Sequence, residues 1–364
     1  MSRPAQVAVH QLIPSLSVRD AIGNHALHVR SLLLELGFAS ELYAESVVGR
    51  FGVPVHRTSS VPDCGWLIYH HSIGSLVGSR FAAHRGGRIL NYHNITPAEL
   101  FEPWEAGVGA ELALGRRQLV EFADRTDHAI ADSGFNRDEL VDLGYRSTGV
   151  VPVLFDADGL RREVDHGVAA RLAATRHRQG TQVLFVGRVA PNKAQHALVA
   201  AFAVYRREFD PRAHLHLVGA VSSHNYHKAV RRQVEVAGLR RAVTFHDSVS
   251  DGALGAHYAN ADVFCCLSDH EGFGVPLLEA MAHDVPVIAQ TGSAVPGTVG
   301  DAAILLPDRD PLTAAVAIDR VCTDPALRVR MVEAGRRRLE EFSLERSRRR
   351  YAEQITAAVE GARR

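Results

Sequence analysis

Lysine is nearly missing from this chain: Lys193 and Lys228 are the only two among 41 basic residues. The skew reads as a genome-wide preference for Arg codons. It makes each surviving Lys worth following, because an ammonium is a compact point charge and a guanidinium a planar fork. A charge excess of either sign is also missing. Lys and Arg number 41, as do Asp and Glu, so no bulk attraction to nucleic acid is expected. No apolar run reaches the length of a membrane span. Met1 to Leu16 lacks the long apolar region of a signal peptide and reads as a first strand. Cysteine is confined to Cys64, Cys265, Cys266 and Cys322. Cys265 and Cys266 point to opposite sides of a strand, and no cysteine spacing suits zinc, so reduced thiols and a cytoplasmic location are the default. No G-x-G-x-x-G and no Walker lysine follow the first strand, which argues against a dehydrogenase or a P-loop NTPase.

What remains is an α/β pattern in 364 residues, room for two domains. Strand-like runs at Gln6–Ile13, Leu42–Ala44, Trp66–His70 and Ile89–Tyr92 alternate with helical stretches from His25 to Leu36 and Glu111 to Ala123. The fourth run leads into His93-Asn94, and the carboxyl end of a parallel strand is where ligands meet an open α/β sheet. His70 and His71 carry less weight in a chain with 20 His. Glu99 and Glu102 lie near Phe101 and Trp104, a grouping able to hold a sugar or polyol, although a loop packed on its own domain is the simpler reading. A polar, charged stretch at 157–180 reads as an interdomain connection between domains at 1–156 and 181–342. The second domain opens with a strand, Gln182–Val186, and a loop holding Arg188 and Lys193. Both cations are placed to reach a diphosphate.

The chain is organised around Ser268–Ala282. A buried strand-like run ends at Leu267, and Pro276 suits the first turn of a helix. Glu271 therefore lies in the loop and Glu279 about one turn into the helix. Gly272 and Gly274 let backbone amides approach a ligand closely, and a helix N-terminus attracts an anion. Two carboxylates flank that anionic centre, a pocket suited to a nucleotide sugar.

Two Glu seven residues apart, with Gly-Phe-Gly after the first, resemble the E-x7-E motif of retaining glycosyltransferases of family four. Gly187-Arg188 to Lys193 is similar to that family's G-R-x-x-x-x-K element. The resemblance implies the GT-B architecture, two Rossmann-like domains facing across a donor/acceptor cleft, with the last helix (343–364) packing back on the first domain. It implies a retaining hexosyltransferase that needs no metal or cofactor, with a nucleoside-diphosphate sugar as donor and a hydroxyl-bearing saccharide, lipid-linked or small-molecule acceptor. Donor contacts carried over are Gly23, Arg188, Lys193, Val249, Glu271, Gly272, Phe273, Gly274, Val275 and Glu279. His93 approaches the transferred sugar or the acceptor. Asn94, Glu99 and Glu102 are acceptor-side candidates. The chain departs from the family at Gly23-Asn24, where Gly-Gly is usual, and after Pro152, where Asn-Gly is usual.

Two rival readings stand beside this one. A sugar-nucleotide epimerase or hydrolase keeps the fold and needs no acceptor. A catalytically degenerate scaffold subunit would have damaged donor residues, whereas Arg188, Lys193, Glu271 and Glu279 are all present. The Arg-rich last helix offers contact with anionic lipid headgroups at the inner membrane face. Glu340, Glu341, Glu345 and Glu353 make a solvated face the simpler reading.

Overall fold

Apolar runs buried on both faces form the strands of parallel sheets. The computed structural model of the protein describes residues 6–17, 20–176 and 180–361. One sheet contains β1 (Val9–Ser17), β2 (Leu42–Val48), β3 (Val55–Arg57), β4 (Trp66–His71), β5 (Gly87–Tyr92), β6 (His128–Ala131) and β7 (Thr148–Val150). Its order is β3-β2-β1-β4-β5-β6-β7, all parallel. The other contains β8 (Gln182–Val186), β9 (His214–Val218), β10 (Val243–His246), β11 (Val263–Cys266), β12 (Val287–Gln290) and β13 (Ala303–Leu306). Its order is β10-β9-β8-β11-β12-β13, again all parallel. Each order reverses once, between β1 and β4 and between β8 and β11. At such a reversal the loops leaving the two central strands diverge, and a crevice opens beyond their carboxyl ends.

The first sheet lies in a unit built from residues up to Ala98, Gly107–Phe155 and the stretch from Phe342 onward. Its core joins Val9, Val29, Leu33, Trp66, Ile68, Ile89 and Ile130 to Tyr351, Ile355 and Val359 of the helix Leu344–Gly361. Tyr351 also donates its hydroxyl proton to Asn91 Oδ1 at 2.8 Å. The second unit comprises Glu99–Ala106 and Asp156–Glu341. Phe185, Leu198, Phe202, Val263, Phe264 and Leu278 are buried in it.

Residues 157–180, read from sequence as a connection, contribute the helices Ala157–Arg162 and His166–Arg176 to the second unit. They pack closely because the neighbouring helix Asp251–Asn260 presents glycines. A Cβ at Gly255 would lie 2.7 Å from Glu163 O, and Asp165 N donates to Gly252 O at 2.8 Å. The segment Glu99–Ala106 also joins the second unit. There Glu105 accepts from Ser223 Oγ at 3.0 Å and Asn225 N at 3.1 Å, and Trp104 meets Tyr226 edge-on. Among the described residues, no helix is long and apolar enough to cross a membrane.

Candidate active site

The two loops that leave the reversal point of the second sheet are bound to each other. After β8 the chain makes a turn at Pro191–Lys193, and Ala194, at φ +48°, redirects it into the helix Gln195–Glu208. After β11 it runs through 267–274. Asn192 joins the loops: its carbonyl accepts from Asp269 N at 2.8 Å and His270 N at 3.2 Å, and its side-chain amide donates to His270 O at 3.2 Å. This clamp brings Lys193 Nζ to 2.6 Å from Glu271 Oε2, with the two side chains only 17% and 9% exposed. Glu271 N donates to Ser293 Oγ at 2.8 Å, which fixes its backbone. Cys266 Sγ lies 3.9 Å from Glu271 Oε1. Burial, then the adjacent Glu271 charge, push that thiol up to about 11, so it stays protonated at neutral pH.

Gly274, at φ +91°, caps the helix Val275–Ala282, with Pro276 in its first turn. A Cβ at Gly274 would sit 2.7 Å from Leu277 Cδ1, so the bend that exposes the first amides of the helix suits glycine. Phe273 O accepts from Thr298 Oγ1 at 2.6 Å. Further along the helix, Tyr258 donates its hydroxyl proton to Glu279 Oε2 at 2.7 Å. Burial raises the Glu279 carboxyl to about 7; the Tyr258 bond opposes the rise and Asp251 adds to it. Arg188 is exposed, and its carbonyl accepts from Gln195 Nε2 at 2.9 Å. Val249 lies half-buried in the loop between β10 and the helix Asp251–Asn260. Gly272 and Val275 flank Phe273-Gly274 in the same turn. Donor candidates Arg188, Lys193, Val249, Glu271–Val275 and Glu279 thus all belong to the second unit. Sequence reasoning passed over Asn192, Tyr258 and Cys266. Asn192 and Tyr258 act through hydrogen bonds to residues far along the chain, and Cys266 through the turn that brings Glu271 back beside it, none of which leaves a local pattern.

In the first unit, Gly23 lies inside the helix Ala21–Glu35 and not on the loop before it. Asp20 caps that helix by accepting from Gly23 N at 3.2 Å. A Cβ at Gly23 would approach Ser17 O to 2.8 Å, so the helix packs close to the end of β1. His93 follows β5 as expected, but its side chain is 1% exposed. Because β5 lies between β4 and β6, its ring is bracketed by their ends. Nδ1 meets Asp132 Oδ2 at 2.8 Å and Nε2 meets His70 Nδ1 at 2.9 Å. His70, a weaker candidate in the sequence, continues the chain to Gln11 Oε1 at 2.9 Å. Asn94, at φ +69°, donates to Asn136 Oδ1 at 2.9 Å. Glu99 and Glu102 are exposed in the segment that joins the second unit.

Residues 173–338 match the model of the family described as glycosyl transferases group 1. A D-inositol 3-phosphate glycosyltransferase of Kineococcus radiotolerans is 33% identical over 305 residues, 76% of this chain and 68% of that protein. The chain belongs to the group 1 glycosyltransferases. A protein of the same description from Streptomyces avermitilis is 31% identical over 311 residues, 82% of this chain and 65% of that protein. The group 1 chain thus spans about two thirds of the length of these relatives. A crystal structure of HepE from Anabaena, in complex with UDP and glucose, superposes with a TM-score of 0.77 at 18% identity, over 96% of this chain and 100% of that one. At that identity the likeness speaks for the fold, which is GT-B.

Proposed function

We propose that this group 1 glycosyltransferase moves a hexosyl group from a nucleoside-diphosphate sugar to an acceptor hydroxyl, with retention of anomeric configuration and with no metal at the diphosphate. The observation that carries the reading is the Lys193–Glu271 pair beside the Gly274 turn, at the reversal point of the second sheet. As the glycosidic C–O bond breaks, negative charge grows on the departing diphosphate. Arg188, Lys193 and the first amides of the helix Val275–Ala282 supply fixed positive charge and dipoles for it. Glu271, released from Lys193 by the diphosphate, accepts from hydroxyls of the sugar, and Glu279 accepts from those of the ribose. The neutral Cys266 thiol is a poor nucleophile. A front-face transfer, in which the leaving phosphate takes the acceptor proton, suits such a site. Asn94 is assigned to the acceptor side, and His93 to holding that turn through His70 and Asp132, since its enclosed ring offers the acceptor no nitrogen. Inositol phosphates, named for the two relatives, are the first acceptors to try.

A thermal-shift panel of UDP, GDP, ADP and dTDP tests the donor site. A nucleotide at a hundred times its dissociation constant adds about 2.7 kcal/mol of stability. One base should raise the melt and Glu279→Ala should remove the shift; no shift with any base at millimolar concentration would overturn the assignment. Proton NMR of the product, made with and without added Mg2+, then reads retention and metal dependence.

The raised Glu279 carboxyl gives a pH signature. Its folded-state value lies above the ordinary carboxylate range, so the stability linked to its proton is present at low pH and lost as pH rises through about 7. Ribose hydroxyls favour the ionised form, so donor binding runs the other way. Affinity for the nucleoside diphosphate should rise about tenfold from pH 6 to pH 8. Calorimetric titration checks this, and Glu279→Gln should flatten the profile.

A further inference from the structure

Histidines meet in two places among the described residues: His25, His70 and His93, all buried, in the first unit, and buried His216 and His257 with half-buried His246 in the second. The first trio is saturated. His25 bonds Leu154 N and Asn91 Oδ1, His70 bonds Gln11 and His93, and His93 bonds His70 and Asp132. The second trio is not. No hydrogen bond reaches the His257 ring among the described residues, although it lies 4.3 Å from the His246 ring centroid and 5.6 Å from that of His216.

The trio arises from register. His214 and His216 alternate with leucines and so share one face of β9. His246 ends the neighbouring β10, and His257 projects from the helix Asp251–Asn260. One nitrogen from each ring lies within 4.8 Å of the other two. His216 Nδ1 and His246 Nε2 are 3.0 Å apart. That is close to the edge of a tetrahedron with metal–nitrogen bonds of about 2.0–2.1 Å, roughly 3.3 Å.

The tautomer of His216 is also fixed. Gln182 spends its amide N–H on Gly180 O at 2.7 Å, which turns its carbonyl oxygen toward His216 Nε2 at 3.0 Å. His216 therefore carries its proton on Nε2 and a lone pair on Nδ1, aimed at His246. An outer-shell acceptor on the far nitrogen is how metal-ligating histidines are commonly oriented. His214 stands aside, bonded to Thr244 Oγ1 at 2.8 Å. Burial and the neighbouring imidazoles push His216 down to about 2, and burial lowers His257 to about 4, so both rings are neutral and available at neutral pH.

We propose that His216, His246 and His257 form a binding site for a borderline divalent cation of the zinc class, separate from the Lys193–Glu271 pair. Three imidazoles with no carboxylate or thiol suit Zn2+ and its transition-metal neighbours and discriminate against Mg2+. The fourth position is left to water. A metal there would tie the end of β10 to the helix Asp251–Asn260 and so set the loop at 247–250. Its consequence for the donor base rests on the function proposed above; metal binding itself does not.

The test uses the tag-free full chain, stripped with a chelator and titrated with ZnCl2 or MgCl2. Metal retained through gel filtration is counted by plasma mass spectrometry and the melt is recorded. One Zn2+ per chain, a raised melt and no retained Mg2+ are expected. His257→Ala should lose the ion, and Gln182→Ala, with all three ligands intact, should weaken it about 10–100-fold. No retained Zn2+ would overturn the proposal. So would equal retention by His257→Ala, which would place the ion on surface histidines. If His257→Ala fails to fold, Gln182→Ala decides, and unchanged affinity in it overturns the site.

Discussion

Lys193→Ala is expected to lower kcat/KM by about two to three decades. Removing one preorganised donor from a developing oxyanion costs roughly 2.7–4 kcal/mol of transition-state stabilisation, and half-buried Lys193 is better shielded from water than exposed Arg188. The side chain has a second role that has to be separated from the first. In the free enzyme it neutralises Glu271, a carboxylate with a 9% exposed side chain. Removing one member of a buried pair strands the other, at a cost of about 3–5 kcal/mol in stability. The single variant should therefore melt early as well as turn over slowly. The double variant Lys193→Met/Glu271→Gln removes both charges, so its melt should return toward that of the parent. Its turnover should stay as low as that of the single variant. Steady-state kinetics below the melting range, with a thermal scan of each variant, checks both. Near-normal turnover in Lys193→Ala, or in Glu271→Ala, would remove these residues from the reaction.

The second large effect is expected from a single methyl group. Gly219 follows β9 at φ +147°, and a Cβ there would lie 2.3 Å from Gly187 O. That neighbour is backbone, at the start of the loop that carries Arg188 and Lys193, so no side-chain rotation relieves the clash. The ends of β8 and β9 must separate, or the sheet must distort. Gly219→Ala should destabilise the protein by about 1–3 kcal/mol, as overpacking does, which lowers the melt by roughly 2–12 °C. The same displacement moves Arg188 and Lys193, the cations proposed for the diphosphate, so turnover should fall further than the loss of folded protein explains. Gly238→Ala provides the comparison. It is also a positive-φ glycine, at +70°, but with open space around it and no link to the site. An unchanged melt in Gly219→Ala would show that the two strand ends do not touch.

The strand-turn-helix unit that carries Glu271 and Glu279 was legible in sequence because its signals are local. Glycines, a helix-starting Pro and carboxylates at fixed offsets fall within one strand-turn-helix unit, and each residue type has its own backbone or charge reason to be there. The Arg188–Lys193 loop was legible for the same reason. Legibility failed wherever a role depends on strand order. Asn192 joins two loops more than seventy residues apart in sequence, and only the adjacency of β8 and β11 brings them together. His93 was placed correctly after its strand. That its ring is enclosed by His70 and Asp132 follows from the order β4-β5-β6, which no local pattern encodes. Cysteine spacing carries no metal signal, and the histidines that do converge are thirty and eleven residues apart and meet through β9–β10 pairing and the helix Asp251–Asn260. Short edge elements were missed too. β3 has three residues, too few to establish a period.

The chain's path also constrains how such an enzyme can be divided or recombined. The first unit is assembled from three separated stretches, and its last stretch supplies Tyr351, Ile355 and Val359 to the core. A gene cut once, after Phe155, would yield a first fragment with an uncovered apolar face and a second one ending in an unpartnered amphipathic helix. A donor half borrowed from another glycosyltransferase would have to be inserted with the segment at 99–106 and with junctions near 156 and 341. Simple end-to-end fusion therefore does not suit this chain, and recombination has to respect at least the two junctions on either side of 156–341.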